Sequence, residues 1–132
     1  MAAEIWIIDE TPSGEVLQRT KLVLASEKIS ARELIERRVR DEVARFNADA
    51  GVLTFRGLVA PLDAEREQSG YRLRQRRLLD ADAQCALALE QFTRNGFFML
   101  ADDRQIESLD EEIVVTPTST VSFVKLVPLV GG

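Results

Sequence analysis

The chain has 132 residues, 45% of them apolar, enough to bury one hydrophobic core and too few to expect two. A formal net charge of -5 argues against a general commitment to nucleic acid or an anionic membrane, and points to proteins or small molecules as partners. With Cys85 as the one cysteine and no histidine, the chain can build neither an internal disulfide nor a Cys/His zinc site, and it lacks the usual neutral-pH general base.

The opening "EIWIID" is dense in β-branched and aromatic residues, "ETPSGE" supplies turn chemistry, and "VLQRTKLVLA" resumes an extended apolar pattern. These three pieces predict a β-hairpin. In "SEKISARELIERRVRDEVARF", Ser30 and Glu33 have capping-box spacing, and Ile35, Val39, Val43 and Phe46 recur at helical intervals. A helix from about Ala31 to Phe46 is expected. Residues 47–79 read as an inserted element, with two strands near Val52–Val59 and Tyr71–Leu79 separated by an acidic, Pro- and Gly-punctuated connection.

Asp80 or Asp82 can cap a second helix running to about Arg94, where Asn95-Gly96 gives a stop. "FFMLADDRQIESLDEEIVV" then predicts a strand, a tight turn near Asp102-Asp103, a short return strand and a polar bend, before "TPTSTVSFVKLV" forms the last strand. The order is β-β-α-insert-α-β-β-β. No segment has the pattern of a secretory leader or the length to span a bilayer, so the expected location is the cytoplasm.

The sequence stops on "VSFVKLVPLVGG". Pro128 has no N–H to give a central ladder and marks where the tail leaves the sheet. Leu129 and Val130 are too apolar for an ordinary solvated terminus, and Gly131 and Gly132 carry no side chain at all.

A hairpin, a capped helix and later strands ending in Gly-Gly resemble the order of the ubiquitin-like β-grasp fold. "STVSFVKLVPLVGG" resembles the last strand and tail of ubiquitin, and "RQIESLDEEI" resembles the short strand and bend before it. The tail is also similar to those of the bacterial sulfur carriers of molybdopterin and thiamin synthesis, in which an apolar strand leads through proline to Gly-Gly. A larger bacterial ubiquitin-like protein, of a conjugation system such as those of antiphage defence, is the best match. The fold so implied is α+β, a ubiquitin-like β-grasp in one domain over 1–132, with an insert at about 47–79, a second helix and a flexible tail at about 128–132.

The function implied is that of a protein modifier without enzymatic activity of its own. Its Gly132 carboxylate is a poor acyl donor until an activating enzyme adenylates it with ATP and magnesium, after which thioesters carry it to a target amine. The chain itself binds no cofactor or metal. Its partners would be the activating enzyme, a conjugating enzyme, a metal-dependent deubiquitinase-like peptidase and the target protein. Gly131 clears the approach to the activating site, and Pro128, Leu129 and Val130 are the tail handles. Two alternatives stand beside this one: a sulfur carrier whose tail becomes a thiocarboxylate, and a β-grasp adaptor without covalent chemistry.

The resemblance also implies an apolar partner patch on the outer sheet face. Alternation along the last strand predicts Val121 and Phe123 inward and Val124 outward. The patch is then Phe98, Leu100 and Val124, unless the register brings Phe97 and Met99 outward instead. "YRLRQRR" as a strand sets Arg72, Arg74 and Arg76 on one face, most simply a solvated one, since Asp63, Glu65 and Glu67 are near in sequence. Lys21, Lys28 and Lys125 are the only lysines, which favours single attachment over chains of itself. Cys85 lies in an apolar helix and reads as core. Asp102, Asp103, Glu107, Asp110, Glu111 and Glu112 read as solvent-facing loop carboxylates.

Overall fold

A computed structural model of the chain describes residues 3–67 and 70–126. In chain order its elements are β1 (Ala3–Glu10), β2 (Val16–Leu24), β3 (Lys28–Ser30), α1 (Ala31–Ala48), β4 (Thr54–Phe55), β5 (Ala64–Glu67), β6 (Gly70–Leu73), α2 (Ala81–Thr93), β7 (Phe97–Ala101), β8 (Arg104–Ile106), β9 (Glu112–Val114) and β10 (Thr120–Lys125). This is a mixed fold with a five-stranded sheet and two helices, as the α+β class requires. It divides into two compact units, one from residues 3–34 and 92–126, the other from residues 35–91.

In the first unit the sheet order is β2-β1-β10-β7-β8. The opening hairpin is antiparallel, closed by a turn in which the Thr11 N–H donates to the Glu15 carbonyl at 2.9 Å. Gly14 holds φ at 91°, a conformation that costs a residue without Cβ little. β10 lies between β1, to which it is parallel, and β7, to which it is antiparallel. The β7–β8 hairpin turns on Asp102 and Asp103, whose φ values of 47° and 70° are those a two-residue primed turn demands. One face of the sheet is buried: Ile5 and Ile7 of β1, Leu22 and Leu24 of β2, Met99 of β7, Val121 and Phe123 of β10 are all 3% exposed or less.

The sequence reading omits β3 and β9. They form a separate antiparallel pair centred on Ile29 and Ile113, and three residues each is too short for a period to register. The start of α1 is held by the Ser30 hydroxyl, which accepts from the Glu33 N–H at 3.1 Å, and by the carbonyls of Glu111 and Leu109, which accept from Ala31 and Arg32 at 2.9 and 3.0 Å.

In the second unit β4, β6 and β5 form a three-stranded sheet in that order. The expected strand at Tyr71–Leu79 ends at Leu73, and β5 is a further strand where an acidic connection was expected. Beyond Leu73 the chain turns to close the end of α1. Arg76 donates through Nη2 to the carbonyls of Phe46 and Asp49 at 2.8 and 3.1 Å, with its guanidinium 4.3 Å from the centre of the Phe46 ring. Arg76 therefore does not share an exposed strand face with Arg72 and Arg74. The Phe46 ring meets Phe55 edge to face at 5.7 Å, and Gly57 lets the Phe55 ring in, since a Cβ there would stand 2.1 Å from it. α2 starts as expected, with Asp80 Oδ1 accepting from the Asp82 and Ala83 N–H groups at 2.9 and 3.3 Å.

Candidate functional site

The tail residues Pro128, Leu129, Val130, Gly131 and Gly132 lie outside the described residues. What is described is the strand that leads to them. β10 has neighbours on both sides up to Val124, which stands between Glu10 and Phe98; Lys125 still faces Phe97 on the β7 side, and Leu126 is 41% exposed. The root of the tail is therefore held by a central strand rather than an edge.

Cross-strand partners share a face of a sheet, so the registers map its outer side row by row. One row runs Val16, Glu10, Val124, Phe98 across β2, β1, β10 and β7. The next runs Arg19, Ile8, Ser122, Leu100, Gln105 and reaches β8. A third runs Lys21, Trp6, Thr120. Phe98 and Leu100 thus join Val124 on the outer face, each half-buried, while Phe97 and Met99 are buried on the other side. That resolves the register the sequence left open.

Trp6 and Ile8 adjoin this patch, and the sequence does not single them out. "IWII" is apolar throughout, so alternation could not say which residues face out. The signal that was present is the Arg19, Lys21 pair on the facing strand, two residues apart and hence on one face with whatever β1 sets beside them.

The two ends of the face differ electrostatically. Arg19 and Lys21 each stand 5.1 Å from the centre of the Trp6 ring. Lys21 also pairs with Glu4 at 3.3 Å, whereas Arg19 has no carboxylate partner among the described residues. Around Phe98, Leu100 and Val124 the rows instead bring Ser122, Gln105, Val16 and the carboxylate of Glu10. Phe98 also borders a cavity of about 550 Å³ within the first unit, lined besides by Phe92, Phe97, Leu109 and the Arg32–Asp110 pair, whose nearest charged atoms are 3.5 Å apart.

The remaining candidates have structural work. Cys85 is buried, with Sγ 3.7 Å from the Glu36 carbonyl, and burial pushes its thiol pKa up, aided by Glu36 and Asp82 and opposed by Arg40. A thiol so disposed is protonated at neutral pH and a poor nucleophile. Arg72 and Arg74 are exposed beside Glu67 and Glu65 at 3.7 and 3.6 Å, as a solvated face would be. Among the loop carboxylates, Asp102 accepts from the Thr120 N–H at 3.0 Å, and Glu111 pairs with Arg104 and accepts from the Glu107 N–H at 3.3 Å.

Among the described residues no helix is long and apolar enough to cross a membrane. No protein-family model, no curated protein and no solved structure matches the chain.

Proposed function

We propose that this protein is a ubiquitin-like modifier of the β-grasp type, activated at the carboxylate of Gly132 and passed to a target amine. One observation carries the reading. The strand before the tail, β10, is central, parallel to the first strand and antiparallel to β7, and a capped helix follows the opening hairpin. A handle that another enzyme must pull into a narrow site needs a root that does not peel away, and a strand paired on both sides is such a root.

The chemistry is that of the tail and its partners. A Gly132 oxygen attacks the α-phosphorus of ATP on the activating enzyme, and pyrophosphate leaves. A partner thiolate displaces AMP to give a thioester, and a target amine then displaces the thiolate, losing a proton, to give an amide. Gly131 and Gly132 offer no side chain to obstruct the passage, and Pro128, Leu129 and Val130 give the enzyme something to hold. Phe98, Leu100 and Val124 form the docking patch for the activating or conjugating enzyme. The proline-containing tail favours a second reading, in which hydrosulfide from a partner displaces AMP from the adenylate and leaves a thiocarboxylate. A non-covalent adaptor is the third.

Intact-mass spectrometry after incubation with ATP, magnesium and the cognate activating enzyme separates them. A thiol-sensitive enzyme adduct that moves to lysine is the expected result. Replacement of one oxygen by sulfur assigns the carrier, and an unchanged mass assigns the adaptor. A chain lacking Gly132 should be inert in the first two cases.

A further inference from the structure

Trp6 is the only tryptophan of the chain, and it is 39% exposed in the middle of a β-strand. Its neighbours in the sheet make a graded surface. Apolar Ile8 leads away on one side toward Val124 and Leu100, while Lys21 and Arg19 bracket the indole on the other. Leaving a large indole in water forgoes the stabilisation that burial gives it, and an exposed cation–π contact returns only about 0.5–1 kcal/mol. Lys21 is already matched by Glu4. Arg19 is not matched by any carboxylate among the described residues, in a chain whose acidic residues outnumber its basic ones, 22 to 17.

We propose that Trp6, Ile8 and Arg19 form a docking site for a partner-protein segment in which a carboxylate side chain lies next to an apolar one. The carboxylate meets the Arg19 guanidinium, which its contact with the indole biases toward this face. The apolar side chain covers Trp6 and Ile8. Glu4 and Glu10, in line with them on β1, bound the site and repel a longer acidic run, so the surface selects an isolated acid beside an apolar anchor rather than a polyanion. Nucleic acid, with its unbroken row of phosphates, is disfavoured on the same ground. The inference goes beyond the tail chemistry and stands whether or not Gly132 is activated.

The test is a random-peptide phage library panned on the intact protein, with Arg19→Glu as the counter-target. Recovered peptides should carry Asp or Glu beside Leu, Phe or Trp. A recovered peptide, made synthetically, should shift Trp6 emission to the blue on binding. By anisotropy of the labelled peptide, Arg19→Glu and Trp6→Ala should each weaken binding by at least about tenfold. A peptide with its acid changed to lysine should recover affinity for Arg19→Glu, which a merely unfolded variant could not give. Failure to recover any peptide, recovery without enrichment of acids, or equal binding to Arg19→Glu overturns the proposal. So does concentration-dependent self-association that Trp6→Ala abolishes, because it assigns the face to a second copy. Deleting Gly132 should leave peptide binding unchanged, so this test and that of the tail fail independently.

Discussion

Arg38 and Glu42 stand one turn apart on α1, each 5% exposed, with Nε 3.1 Å from Oε2, and the other carboxylate oxygen of Glu42 accepts from the Leu58 N–H at 3.1 Å. The pair ties the helix to the loop after β4 inside the second unit. Taking two charges out of water is costly, and only close pairing with further hydrogen bonds offsets it. Glu42→Ala should therefore cost about 3–5 kcal/mol in urea unfolding, because it takes a close carboxylate from the buried guanidinium and the acceptor from the Leu58 N–H. A Glu42→Ala loss no larger than that of an exposed residue would refute this account.

Phe123 and Val124 are consecutive, yet the first is fully buried and the second is on the outer face. Phe123→Ala should destabilise by about 3–5 kcal/mol. Val124→Ser should move the unfolding midpoint little and, under the proposed modifier function, weaken capture by an activating or conjugating enzyme. Equal losses of stability at the two positions would contradict the assigned faces.

Burial raises the pKa of the Cys85 thiol in the folded chain above its unfolded value, so folding favours the protonated form. The stability this contributes is complete below the unfolded thiol pKa of about 8.5 and is lost as pH rises through the folded one. Unfolding free energy should thus fall on the alkaline side, and Cys85→Ala should flatten that slope. In the native protein an aromatic disulfide reagent should label Cys85 only at the rate of unfolding. Prompt labelling would show an accessible thiolate.

Asp103 holds φ at 70° and Asp102 holds φ at 47°, but only Asp102 also accepts a bond, from the Thr120 N–H at 3.0 Å. Asp103→Gly relieves a left-handed conformation and should gain up to about 1 kcal/mol in thermal unfolding. Asp102→Ala removes an acceptor that links the β7–β8 turn to the start of β10, and should lose about 1 kcal/mol. Effects of the same sign at both positions would contradict this division of roles.

The elements read best from the sequence are those whose cause is local. Ser30, Asp80 and the Asp102-Asp103 pair act on backbone groups within a few residues, so helix starts and a hairpin turn follow from composition and spacing alone. Inward Val121 and Phe123 follow from the period of two. The insert is poorly legible in the sequence for the same reason. Its strands run from two to four residues, too short for a period, and Arg76 looks like part of an arginine strand until the Phe46 carbonyl it caps is known.

What the sequence alone determined is the α+β class, both helices, the outer hairpins and the alternation of the last strand, because each depends on short-range sterics and hydrogen bonding. Only the tertiary structure decided that β10 lies between β1 and β7, that Phe98 rather than Phe97 shares a face with Val124, and that Trp6 and Arg19 meet. Those are pairings between residues far apart in the chain, fixed by how the strands register in three dimensions, and a one-residue slip would have reversed every face.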